Sequence, residues 1–138
     1  GFNTVIFGGG LYAGGVSGIR QLIANRKALS SKKVILFTCG LADPFVPDNA
    51  AHIRASLEKT LPPEMMESIH FYHLRGGIDY SRLNFVHRSM MAMLQKMLQK
   101  KDPRTLGPED LQLLETYGKR IDFTDPDSIK PLVEDART

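Results

Sequence analysis

Apolar residues fall into short continuous runs early in the chain and into helical stripes later. Thr4-Val5-Ile6-Phe7 is one run, Val34 to Cys39 a second, and Ser68 to Leu74 a third. A strand covered on both faces shows an unbroken apolar run, so the first two predict buried parallel strands. The third carries His70 and His73 and predicts a more polar edge strand. Between the runs the period changes. Ile19, Leu22, Ile23 and Arg26 recur at helical spacing behind Ser17, predicting a helix capped by that serine. Ala50, Ile53, Leu57 and Leu61 form the next stripe, with Asp48 as its cap and Pro62-Pro63 as its stop. The order β-α-β-α-β predicts an α/β fold, a three-layer parallel sheet followed by extra C-terminal helices.

Beyond Leu74 the pattern is mainly helical. Arg75-Gly76-Gly77 predicts a turn. Asn84 to Lys100 places Val86, Met90, Met93, Leu94 and Met97 on one face. The narrowness of that face favours core packing. The competing reading is a helix that docks on a partner or a membrane surface, helped by Arg88, Lys96, Lys100, Lys101 and Arg104. Gly107-Pro108 opens a helix with Leu111, Leu114 and Tyr117, closed by Gly118. Ile121 to Pro126 reads as an extended connector. The last helix carries Ile129, Leu132, Val133 and Ala136, and Pro131 moves its start beyond Asp125.

Composition narrows the classes. A chain of 138 residues suits a single domain over residues 1–138 with one core. A net charge of +3 is too small to argue for nucleic acid. The one cysteine, Cys39, excludes an internal disulfide and suits a reducing compartment, so a cytoplasmic location is expected. No apolar run approaches the roughly 20 residues of a membrane helix, and no signal peptide is predicted within these residues. The chain opens on Gly1, almost inside a strand, so natural sequence upstream is expected.

The candidate chemistry lies where the strands end. Thr4 to Phe7 runs into Gly8-Gly9-Gly10-Leu11-Tyr12-Ala13-Gly14-Gly15, which predicts a glycine loop around one large ring, Tyr12. The second strand runs into Gly40-Leu41-Ala42-Asp43-Pro44. Loops at the carboxyl ends of parallel strands form ligand crevices, and a planar ligand suits these. Gly8 to Ala13 formally fits the dinucleotide fingerprint, but that motif starts its helix inside the glycines and wants an acid after the next strand. Here the helix waits for Ser17, and Thr38-Cys39-Gly40 holds the acid's place. There is no P-loop signature. Cys39 reads as a buried inert thiol. His70 and His73 point to opposite faces of a strand, and His52 and His87 lack ligand-spaced neighbours, so no metal site is predicted. No catalytic pairing can be assembled, and catalytic residues stay unassigned.

Asn3 to Gly15, Arg75-Gly76-Gly77-Ile78-Asp79-Tyr80, the Met-rich helix and Asp122-Phe123-Thr124-Asp125 together resemble one family. They are similar to the C-terminal half of flavodoxin-domain proteins related to the bacterial flavodoxin-type, oxygen-independent protoporphyrinogen oxidase. The resemblance implies the third, fourth and fifth strands of a 2-1-3-4-5 sheet, with FMN at the carboxyl edge. Gly8, Gly9, Gly10, Leu11, Tyr12, Ala13 and Gly14 would wrap one side of the isoalloxazine, with Tyr12 stacking on it. Cys39, Gly40, Leu41 and Asp43 would belong to the second loop, whose backbone donors meet the flavin's polar edge. The implied activity is electron transfer, or oxygen-independent dehydrogenation between a porphyrinogen and a quinone, with peripheral membrane or quinone contact. The chain departs from the family twice. The phosphate loop after the family's first strand has no counterpart here, and Leu41 and Ala42 stand where an aromatic is common, with Phe45 nearby. Without that first strand, Thr4 to Phe7 is a bare edge and predicts a homo-oligomer. The alternative is a non-catalytic interaction module that keeps the fold without the cofactor.

Overall fold

The computed structural model describes residues 2–12 and 15–138. In chain order the elements are β1 (Thr4–Tyr12), β2 (Gly15–Val16), α1 (Ile19–Ala24), α2 (Arg26–Leu29) and β3 (Lys33–Gly40). They continue with α3 (Pro47–Thr60), α4 (Pro63–Ser68), β4 (His70–Arg75), β5 (Gly77–Asp79) and α5 (Phe85–Gln99). The last are α6 (Pro108–Thr116), β6 (Arg120–Asp122) and α7 (Lys130–Arg137). The main sheet has the order β2-β1-β3-β4, with β1, β3 and β4 parallel and β2 a short antiparallel return. The three predicted strands therefore form, and β4 is the edge strand its histidines suggest.

Alternation along β3 explains the layers. Val34 and Leu36 share one core with Ile19 and Leu22 of α1, Ile53 and Leu57 of α3, and Met65 of α4. Lys33, on the opposite face, is ion-paired at 2.7 Å with Asp135 of α7. Ile35 points to that face and is fully buried. Helices thus cover both faces of the sheet, the three-layer α/β arrangement the sequence predicts.

The glycine run is the main correction. The strand does not stop at Phe7; it continues through all three glycines to Tyr12. The chain then doubles back, pairing Leu11 with Val16, and Ser17 N–H donates to Gly10 O at 2.9 Å. A Cβ at Gly8 would lie 2.1 Å from Phe37 Cζ, and one at Gly9 would lie 2.6 Å from Ser17 O. One glycine makes room for a ring on the next strand and the other for the returning backbone. Gly10 faces open space, with Cys39 O at 4.0 Å from its would-be Cβ. On its outer edge β1 is paired only at Leu11 and Tyr12 among the described residues, so Thr4 to Phe7 is bare there.

Smaller corrections concern caps. The first helix is preceded by Gly18 at φ 80° with no side-chain cap, so Ser17 does not serve. Val46, not Asp48, precedes α3, and Asp48 sits in its first turn, where a carboxylate suits the helix dipole. Leu61 and Pro62 end α3, but Pro63 then starts α4, which the sequence pattern does not reveal. Arg75-Gly76-Gly77 is not a turn: Gly77 begins β5, which pairs antiparallel with β6. Residues 77–122 are therefore an excursion that leaves the sheet beside β4 and returns beside its own start. Asn84 caps α5, accepting from His87 N–H at 2.8 Å, a role the sequence pattern does not single out. Pro131 lies in the first turn of α7, which accounts for the helix starting at Lys130.

Candidate functional site at the carboxyl ends of the strands

A cavity of about 620 Å³ lies where the parallel strands end. Its floor is Leu11 of β1, Cys39 and Gly40 of β3, and Gly76 just after β4. Its walls come from Ile53 of α3, Met90 and Leu94 of α5, and Leu113 of α6. Polar groups are few: besides the Cys39 thiol, His52, His87, Lys101, Glu109 and Asp110 are the ionisable ones. Pockets of some 300–1,000 Å³, mainly apolar with sparse polar groups, are typical of small-molecule sites.

Of the residues the sequence singles out, the cavity brings together Leu11, Cys39, Gly40 and Leu41. Gly8, Gly9 and Gly10 do not line it. Ala13, Gly14 and the Tyr12 side chain lie outside the described residues. Asp43 lines a smaller pocket of about 170 Å³ with Phe45, His73, Arg75 and Phe123. Its Oδ1 accepts from Phe45 N–H at 3.0 Å and its carbonyl from Asn49 Nδ2 at 2.9 Å, so Asp43 shapes the turn.

The loop after β3 is held from two sides. Arg75 Nε donates to Leu41 O at 2.7 Å, and its guanidinium sits 3.6 Å over the Phe123 ring. From the other side Glu109, in the first turn of α6, takes the loop's own donors. Leu41 N–H donates to Oε2 at 3.1 Å and Ala42 N–H to Oε1 at 2.9 Å. Two adjacent amides thus grip one carboxylate, an oxygen each, as backbone nests hold anions. Gly40 allows the approach, since a Cβ there would lie 2.2 Å from Glu109 Oε1. These amides lie in the loop, Cys39 to Asp43, whose backbone donors the resemblance assigns to the flavin's polar edge. Glu109 carried no signal in the sequence, because an acid in a helix's first turn is ordinary.

The Cys39 thiol is free and half-buried. Burial, and then the Glu109 carboxylate, push the Cys39 pKa up, which keeps it protonated. Cys39 Sγ instead packs against Gly76, where a Cβ would come within 2.7 Å. His73 shares a 2.8 Å hydrogen bond with the fully buried Thr38 hydroxyl. Burial foremost, and Arg54 second, push its pKa down, so the imidazole is neutral at pH 7. His70, on the other face, reaches Asp135 instead. The predicted separation of the two histidines holds, and no metal-binding cluster occurs among the described residues.

The Met-rich helix departs from expectation. Met91 and Leu98 are its buried positions, while Val86 is 62%, Met93 65% and Met97 53% exposed. The core reading fails because the side of α5 that faces the protein is the neighbouring one, through Met91, Leu94 and Leu98. No helix among the described residues is long and apolar enough to cross a membrane.

The flavodoxin domain profile matches residues 1–105, well over half of the 138. No curated protein and no solved structure matches the chain. The matched residues contain β1, β3 and β4 in parallel register and both loops at their carboxyl ends, while Glu109 lies beyond them. With sheet, order and profile in agreement, the chain belongs to the flavodoxin-domain family.

Proposed function

We propose that this chain is an FMN-binding redox domain whose flavin ring sits at the carboxyl ends of β1, β3 and β4. The observation that carries the reading is the pair of adjacent amides at Leu41 and Ala42, gripping a carboxylate on the wall of an apolar cavity. The pyrimidine edge of a flavin presents acceptors of the kind these donors suit. Gly10, Leu11, Tyr12, Ala13 and Gly14 would flank the ring on one side, and Cys39, Gly40 and Leu41 on the other. Gly8 and Gly9 serve the scaffold, and Asp43 serves by shaping the turn. The residues present fit the ring end of FMN; a phosphate loop is not among them. Bound FMN supplies one- and two-electron transfer. The chain's contribution is to orient the ring, exclude water with Leu41, Ile53 and Leu94, and hold the Leu41 loop through Arg75. The clasp of Asp135 on Lys33 supports reading residues 1–138 as one domain. Within this reading, the mainly apolar cavity favours dehydrogenation of a bulky tetrapyrrole donor of the porphyrinogen kind over bare electron carriage.

FMN must displace Glu109 to reach the amides. Titrating the full chain with FMN should quench flavin fluorescence to a 1:1 end point, more tightly in Glu109→Gln. A second reading, a cofactor-free module, draws on the same contact, since Glu109 already satisfies both donors. Failure of both the parent chain and Glu109→Gln to bind at high FMN would overturn the first reading in favour of the second.

A further inference from the structure

The smaller pocket, of about 170 Å³, stands apart from the flavin cavity. It lies at the end of the edge strand β4, on the Arg75 side of the loop after β3, and the segment that follows β6 closes it. Its charged groups are one guanidinium, Arg75, and two carboxylates, Asp43 and Asp125. Opposite charges in one small pocket ordinarily pair, yet Arg75 forms no ion pair with either acid among the described residues. The guanidinium is held in place all the same. Its Nε donates to Leu41 O, and its carbon lies 3.6 Å from the centre of the Phe123 ring. That leaves Nη1 and Nη2, a fork able to meet a carboxylate with two parallel hydrogen bonds. Each acid likewise has one oxygen committed. Asp43 Oδ1 accepts from Phe45 N–H and Asp125 Oδ1 from Asp127 N–H, both at 3.0 Å, which leaves each Oδ2. His73 adds a neutral ring whose Nδ1 is engaged with Thr38. Pro44 and Phe45 add apolar surface, and Phe45 is 84% exposed.

We propose that this pocket is a binding site for a small free amino acid. The α-carboxylate would take the Arg75 fork, the α-ammonium the spare oxygens of Asp43 and Asp125, and a short apolar side chain would lie against Phe45 and Pro44. An anion alone would meet two carboxylates, and a cation alone would meet a guanidinium. A zwitterion satisfies both signs at once, and each charge guards against the wrong ligand. The volume equals that of about six water molecules in the liquid, a fit for an amino acid near the size of valine. The site does not depend on what the larger cavity holds.

The test is a titration of the full, isotope-labelled chain with L-alanine, L-valine and L-leucine, followed by amide chemical shifts. L-valine should move the amides of Phe45, His73, Arg75 and Ser128 along one saturating curve. Isovalerate is valine without its ammonium, and isobutylamine is valine without its carboxylate. Each should bind about tenfold or more weakly than L-valine, because each gives up hydrogen bonds between charged groups. Asp43→Asn with Asp125→Asn keeps the Oδ1 acceptors that shape both turns and removes the charge. It should lose L-valine affinity about tenfold and gain affinity for isovalerate, a reversal that a damaged fold would not produce. Absence of saturable shifts with all three amino acids overturns the proposal. So does isovalerate or isobutylamine binding the parent chain as tightly as L-valine, for the pocket then reads one charge only. A folded double variant that still prefers L-valine to isovalerate overturns it too, and the comparison of probes on the parent chain decides the matter if the double variant does not fold.

Discussion

Two carboxylates hold opposite ends of the same sheet, and they do so in different ways. At the amino-terminal end Asp135 of α7 is gripped by three side chains: Lys33 Nζ, Tyr72 OH and His70 Nδ1, each at 2.7 Å. At the carboxyl end Glu109 of α6 is gripped by two loop amides. The first carboxylate is the shared acceptor of residues on two strands, so removing it strands a lysine and a phenol against the sheet. The second satisfies donors that any acceptor of similar shape could satisfy. A carboxylate that collects side chains is a lock; one that sits on bare amides at a cavity wall marks a place another ligand can take.

The largest expected effect is at the lock. Lys33 first, then Tyr72 and His70, hold the Asp135 carboxyl far below the usual carboxylate range. Folding therefore favours its charged form, and protonation favours the unfolded chain. That stabilisation is complete above an unfolded aspartate's pKa of about 4 and is lost progressively as pH falls below it. Asp135→Ala should lower the thermal midpoint at pH 7 and flatten its fall in acid. Hydrogen exchange should show α7 losing protection before the β3–β4 ladder. A variant whose acid midpoint matches the parent's would reduce the cluster to decoration and break the comparison.

Gly9→Ala comes next. The new Cβ would press on Ser17 O and Val16 Cγ1, both at 2.6 Å, and a backbone carbonyl cannot swing aside as a side-chain tip can. The cost should be about 1–3 kcal/mol by chemical denaturation. It would arise entirely within the scaffold that carries the cavity floor, and it would be present with or without ligand.

Glu109→Gln sharpens the contrast directly. The amide keeps one acceptor for the Leu41–Ala42 pair but loses the charge, so the fold should persist while a competing acceptor gains. Hydrogen bonds to charged groups are worth about 1.5–3 kcal/mol, so FMN affinity should rise about tenfold or more. The readout is the fluorescence titration, with the thermal midpoint measured beside it. Should the midpoint drop as far as it does in Asp135→Ala, Glu109 is a second lock and the loop amides are not a vacant-able edge.

The fold was more legible than the site. Runs such as Val34 to Phe37 and stripes such as Ile53 and Leu57 follow from burial, which the hydrophobic pattern reports directly. The sheet's order follows from the connections being helical. Three kinds of feature were hidden. The continuation of β1 through Gly8 and Gly9 depends on what lies opposite, a Phe37 ring and a returning strand, and glycine is silent about that. The pairing of β5 with β6 spans a long stretch of helix and has only three residues on each side. The contact of Glu109 with Leu41 joins residues 68 apart, through a backbone donor that has no sequence signature at all. The side of α5 that faces the protein was misassigned by one helical row, because methionine populates cores and docking faces alike.

Gly10→Ala carries the smallest expected change in stability and the most discrimination for its size. Gly10 lies on the same strand as Gly9 and one register step away, paired with Cys39, yet its would-be Cβ meets nothing nearer than 4.0 Å. Its φ is not in the left-handed range, where Gly18 and Gly118 fall among the described glycines, so alanine brings no backbone strain. The denaturation midpoint should stay within about 0.5 kcal/mol of the parent, as for an exposed substitution free of special features. If the open space beside Gly10 is where a ring approaches the strand, the added methyl should weaken FMN binding while leaving the midpoint alone. An unchanged FMN titration would confine the flavin to the Leu41 side of the cavity and leave all three glycines of the run to the scaffold.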